Sequence, residues 1–247
     1  MNKKSDNPKR LHPENHKGMM ISDVILGGQD GLVNTLGVIL GIAAASSDLR
    51  IVVAGGLAGA IAEAISMGAV GYTSSIAERD FYLSQVEKEK YEMRELPELE
   101  REEIRQIYMK KGFTGKLLDD VVEVITSNEH VWLETMMQQE LNLQPVEDKR
   151  PLTSAVWVGF SALFGSIIPL LPFLVALGLN FQHSSHVVST SIYIALGLSA
   201  LTLFIVGAVK SKLTVGVWYK SGIQMMVIGT ISALAGYLIG LLFGASV

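Results

Sequence analysis

The sequence predicts an all-α integral membrane protein, with five transmembrane helices and a charged helical domain inserted between the second and third. Three observations predict it. Apolar stretches recur that each exceed the ~20 residues a helix needs to cross a bilayer core. Charge is concentrated in the first twenty residues and in 79–150, so a chain that is 49% hydrophobic and 18% charged, with a mean hydropathy of +0.36, averages two different kinds of segment. Lys and Arg also fall almost wholly on one side of the apolar stretches, as the positive-inside rule requires of a multi-span protein.

In chain order, residues 1–20 form a polar, mobile tail that contains Pro8 and Pro13. Residues 21–78 hold the first two spans, Ser22 to Ala45 and Ile51 to Ile76. Both are rich in glycine, which lets membrane helices approach closely. Residues 79–150 form the inserted domain. The second span has neither Pro nor Gly between Tyr72 and Glu95, so its helix is expected to run on into the insert until Pro97 ends or kinks it. Further helices fit Glu98 to Lys111 closed by Gly112, Thr114 to Thr126 with Thr114 as N-cap, and about Ser127 to Leu143 before Pro145. Residues 151–247 hold spans three to five: Thr153 to Leu179, Val187 to Val209 and Ile223 to Ala245. Gly236, Gly240 and Gly244 make one stripe on the last, suited to packing within the chain or to a dimer seam.

Orientation follows from the basic residues. The tail carries Lys3, Lys4, Lys9, Arg10 and Lys17, the insert carries eleven more, and the loop after span four carries Lys210, Lys212 and Lys220, against Arg50 alone on the other side. The N-terminus and the insert are therefore expected in the cytoplasm and the C-terminus opposite. The short tail and compact loops favour a prokaryotic plasma membrane over a vacuolar one.

Several function classes fall away. The absence of cysteine excludes disulfides and thiolate metal sites. No glycine pattern for phosphate and no Ser/His/Asp arrangement is present, and the scattered tail cations are topological rather than nucleic-acid binding. A ferritin-type di-iron site lacks its Glu-x-x-His pairs. His12, His16, His183 and His186 read as surface histidines, and His130 has no ligand partner at useful spacing.

Ionisable groups inside spans are expensive in lipid and mark pathways. Span one has Asp23 and Asp30, seven residues apart and so on one face; span two has Glu63, one turn before Met67. With Asn34 nearby, these form a polar track suited to a divalent metal, on which protons and metal compete for the same carboxylate oxygens. In the insert, Glu89/Glu92 and Glu100/Glu103 are i,i+3 pairs on either side of Pro97, and Met136 and Met137 precede Glu140 by one turn. Carboxylates with thioethers suit Fe²⁺, Mn²⁺, Co²⁺ or Zn²⁺ better than Mg²⁺ or Ca²⁺.

These residues resemble the vacuolar iron transporter family. The likeness lies in Asp30-Gly31-Leu32-Val33-Asn34-Thr35-Leu36-Gly37, in Ala58-Gly59 with Ser66-Met67 leading to Glu78-Arg79-Asp80, and in the acidic insert before three more spans, from Gly18 onward. The resemblance implies a homodimer with its pore between subunits, lined by the first two spans, and export of cytosolic Fe²⁺, often Mn²⁺, in exchange for protons. It implies Asp30 and Met67 as ligands in the membrane. It further implies Glu89, Glu92, Glu100, Glu103, Met136, Met137 and Glu140 as the metal-binding set of the insert. One departure is that the family commonly has Gly-Glu-Tyr where this chain reads Val70-Gly71-Tyr72, which leaves Glu63, with Asp23 as a candidate entrance, to supply the missing charge.

The expectation is a proton-coupled divalent metal transporter with no permanently bound cofactor. Its partners are the metal ion, protons, the bilayer and a second copy. The rivals are a membrane-anchored metal sensor or storage module without transport, and an exporter of organic cations.

Overall fold

The computed structural model describes residues 14–46, 48–145, 150–180, 186–213 and 216–244, and all its regular structure is helical among these residues. His12 and His183, and the side chain of His16, lie outside them. The helices are α1 (Glu14–Ala45), α2 (Leu49–Glu95), α3 (Pro97–Lys110), α4 (Gly115–Thr126) and α5 (Glu129–Thr135), which runs into a π-helical turn (Met136–Glu140). Then come α6 (Arg150–Gly178), α7 (Val187–Leu213) and α8 (Trp218–Gly244). Five of them, α1, α2, α6, α7 and α8, are long and apolar enough to cross a membrane. α1 begins at Glu14, so helix reaches into the segment expected to be a mobile tail.

The chain divides into two compact units, one of residues 1–72 with 152–247 and the other of Thr73–Pro151. In the first, α1 packs on α8 and α6 through glycines whose missing Cβ atoms make room for backbone. A Cβ at Gly236 or Gly240 would strike the carbonyl oxygens of Gly37 or Gly41, and one at Gly31 would strike that of Ala162. The glycine stripe of the last span is thus used, at Gly236 and Gly240, for packing within the chain. Leu36, Ile39, Leu40, Val52, Leu170 and Phe173 fill the core beside it.

The second unit is a small bundle around Met93, Ile104, Leu118, Val122, Ile125, Trp132 and Met136. α2 is unbroken for 47 residues and stops at Glu95. Pro97 then takes the first position of α3, where its missing N–H removes no intrahelical bond. Gly112, at φ 97°, closes α3 in the left-handed region that glycine tolerates. Thr114 stands at the N-cap of α4 with extended backbone, but its hydroxyl makes no capping bond. The last helix of the unit is shorter than 127–143. Asn128 caps it, accepting from the backbone N–H groups of His130 and Val131 at 3.0 and 3.2 Å. Arg105 pairs with Asp119 at 2.7 Å, joining α3 to α4, and Arg150 pairs with Glu78 at 3.2 Å, joining the two ends of the unit.

Candidate functional site

In the second unit three elements converge on one spot. The turn at Leu96–Pro97 folds α3 back on the end of α2, so that Glu89 and Glu100 meet, and the π-helical turn adds Glu140. One carboxylate oxygen from each of these three lies within 4.8 Å of the other two. Glu89 and Glu100 are 2% and 3% exposed, and the Oε2 atom of each is buried without a hydrogen-bond partner. Unpaired charge taken out of water is destabilising by several kcal/mol. Burial, then repulsion from Glu103 and the other carboxylates, pushes Glu100 up to about 7. Burial and the repulsion of Glu103 and Glu89 do the same to Glu140, also to about 7. Glu103 shares a hydrogen bond with Glu140. Glu92 lies beside the three rather than among them, close enough to repel Glu89, and pairs one turn back with Lys88 at 3.3 Å.

The Met pair is divided by the fold. Met136 is fully buried inside the apolar cluster of the unit, whereas Met137, 2% exposed, is buried outside that cluster. Adjacent residues on a helix point about 100° apart, so Met136 can face the apolar cluster while Met137 does not.

In the first unit, Asp30 and Asn34 lie one turn apart on α1 and face Glu63 of α2. Asp30 and Glu63 are close enough to share a hydrogen bond. The amide Nδ2 of Asn34 donates to Glu63 Oε1 at 3.0 Å. Met67, one turn after Glu63, is buried against Val158 and Ala162 of α6. Asp23, two turns before Asp30, is half-buried. At Gly71 a Cβ would stand 3.1 Å from the carbonyl oxygen of Ser154 and 3.2 Å from its hydroxyl, tighter than ordinary contact. A side chain at position 71, such as the carboxylate that the resemblance leads one to expect there, therefore needs Ser154 to give by a few tenths of an ångström.

The sequence reading overlooked Lys88, which stands among the acids of the insert; its i,i+4 spacing from Glu92 was the available signal. His130, which belongs to no carboxylate cluster among the described residues, has Nδ1 3.8 Å from the carboxylate of Glu134 one turn on.

Apolar helices of spanning length and two separate carboxylate clusters define the class, a multi-pass helical membrane protein with acidic polar sites. Within that class the chain belongs to the VIT family, whose model matches residues 21–241. It is 31% identical over 228 residues to vacuolar iron transporter 1 of Oryza sativa subsp. japonica, covering 92% of this chain and 87% of that protein. The corresponding protein of Arabidopsis thaliana is 32% identical over 228 residues, with 92% and 88% covered. The vacuolar iron transporter of Plasmodium falciparum is 32% identical over 235 residues, with 93% and 85% covered. The protein is a transporter of this family and not an enzyme.

Proposed function

We propose that the protein moves cytosolic Fe²⁺, and by the same chemistry Mn²⁺, Co²⁺ or Zn²⁺, out of the cytoplasm in exchange for protons. The observation that carries this reading is the cluster of Glu89, Glu100 and Glu140. Its two buried oxygens lack any hydrogen-bond donor, so a cation is the partner that would relieve their repulsion. Glu103 and Glu92 flank the cluster, and Met137 is the thioether placed outside the apolar core, which favours a borderline metal. Asp30, Glu63 and Asn34, with Met67 one turn along, form the path through the membrane, and Asp23 its entrance.

Protons and metal compete for the same carboxylates, which couples the two flows. The Lys and Arg distribution supports a cytoplasmic N-terminus and a cytoplasmic insert at 79–150, with the C-terminus opposite. The compactness of the loops favours a prokaryotic plasma membrane over a vacuolar one. Asn34 is exposed on a single protomer at mid-span, which supports a homodimer whose second copy closes the path. The relatives named vacuolar iron transporters support iron as cargo.

The test is metal uptake by proteoliposomes loaded with a metal-quenched dye. Asp30→Ala is expected to abolish uptake while leaving metal binding at the Glu89, Glu100 and Glu140 cluster nearly intact. A wild-type protein that binds metal without moving it would leave a sensor or storage module as the reading.

A further inference from the structure

Asn34 lies fourteen residues from the start and eleven from the end of the Met20–Ala45 span, so at mid-membrane. The amide Nδ2 of Asn34 donates to Glu63 Oε1 at 3.0 Å, so its carbonyl turns away from that carboxylate. No described residue donates to that carbonyl oxygen, and the Asn34 side chain is exposed on the protomer. A bilayer core has no water to satisfy it. Its neighbours across the turn and across the helix pair are the carboxylates of Asp30 and Glu63, themselves in contact. One amide therefore performs two tasks. The N–H holds one oxygen of Glu63, restricting the carboxylate to few orientations, and the carbonyl adds a neutral oxygen beside two charged ones.

We propose that Asn34 sets the metal preference of the membrane path: it positions Glu63 and offers its own carbonyl oxygen as a hard, neutral ligand, favouring Mn²⁺ and Fe²⁺ over Zn²⁺. Carbonyl and carboxylate oxygens suit Mn²⁺, while Zn²⁺ takes fewer ligands and loses less when one is removed. The inference rests on the reading of Asp30 and Glu63 as the transport path.

The experiment is uptake of Mn²⁺ alone and of Zn²⁺ alone by proteoliposomes of the full-length protein. Asn34→Ala is expected to raise the KM for Mn²⁺ by about tenfold or more, the usual effect of removing a group that orients a ligand. The maximal rate changes little and the KM for Zn²⁺ changes less, so preference moves toward Zn²⁺. Asn34→Ser, whose hydroxyl is too short to reach Glu63, gives the same shift and serves if the alanine variant does not fold. Asn34→Gln keeps the amide and recovers part of the Mn²⁺ KM. Wild-type KM values and preference in the Ala and Ser variants would overturn the inference, as would an equal loss of maximal rate for both metals at unchanged KM. Asp30→Ala, run in parallel, separates the two claims: wild-type uptake by that variant sinks the path itself, whereas its loss beside an unaffected Asn34→Ala sinks only the role of Asn34.

Discussion

Glu89 and Glu100 face each other across the α2–α3 turn, with carboxylate oxygens within 4.8 Å and one oxygen of each buried and unpartnered. Two like charges in that position are stable only with a proton or a cation between them. The whole acidic spot, with Glu140, is organised around that requirement.

Metal binding should therefore depend steeply on pH. Glu100 and Glu140 are both held at about 7, so they keep their protons below that pH and must lose them to take a metal. Affinity is expected to fall as pH drops through about 7, by up to about a hundredfold per unit where two protons are displaced. Titration of the full-length protein with Mn²⁺ at several pH values measures this. Glu140→Gln should make the dependence shallower as well as weaken binding, and an unchanged slope in that variant would remove Glu140 from the site.

Stability without metal should run the other way. A carboxyl group whose pKa is raised by folding contributes stability that is fully present below its unfolded value and is lost as pH rises through its folded value. For Glu100 the window runs from the ordinary 4.5 to about 7. The metal-free protein is expected to melt at lower temperature at about pH 8 than at about pH 5, with Glu100→Gln flattening the trend and added metal restoring the high-pH value. Thermal unfolding with and without chelator decides it.

The two methionines should behave differently. Met136→Leu conserves volume in an apolar cluster and should cost less than about 1.5 kcal/mol, with metal affinity unchanged. Met137→Leu should leave stability equally intact but lower affinity for Co²⁺ and Zn²⁺ more than for Mn²⁺. Equal metal profiles for both variants would mean that neither sulfur is a ligand.

Gly71→Glu restores the residue expected at that position but meets the backbone of Ser154 at 3.1 Å. Overpacking of this kind is destabilising by about 1–3 kcal/mol. Lower thermal stability without a gain in transport is the expected result; full stability with faster uptake would show that α2 and α6 part easily there.

Hydropathy and turn chemistry made much of the fold legible in advance. Spans longer than a bilayer core, the run of α2 past Tyr72, the break at Pro97 and the stop at Gly112 each depend on residues within a turn or two, where local physics decides. The acids of the site were legible as helical pairs for the same reason. What no spacing rule reaches is a relation between helices. That Glu89 meets Glu100 and Glu140 while Glu92 turns to Lys88, and that Asn34 bonds Glu63, was decided by which faces pack together. Packing likewise brought the Ser154 carbonyl to within 3.1 Å of a Cβ at position 71, and put Met136 in the apolar cluster and Met137 outside it. Sequence alone determined which segments are long and apolar enough to cross a membrane and which residue types are available for a cation, because both follow from composition along the chain. Only the tertiary structure decided which of those residues meet, because a contact between distant segments is set by the shape of the surfaces that pack together.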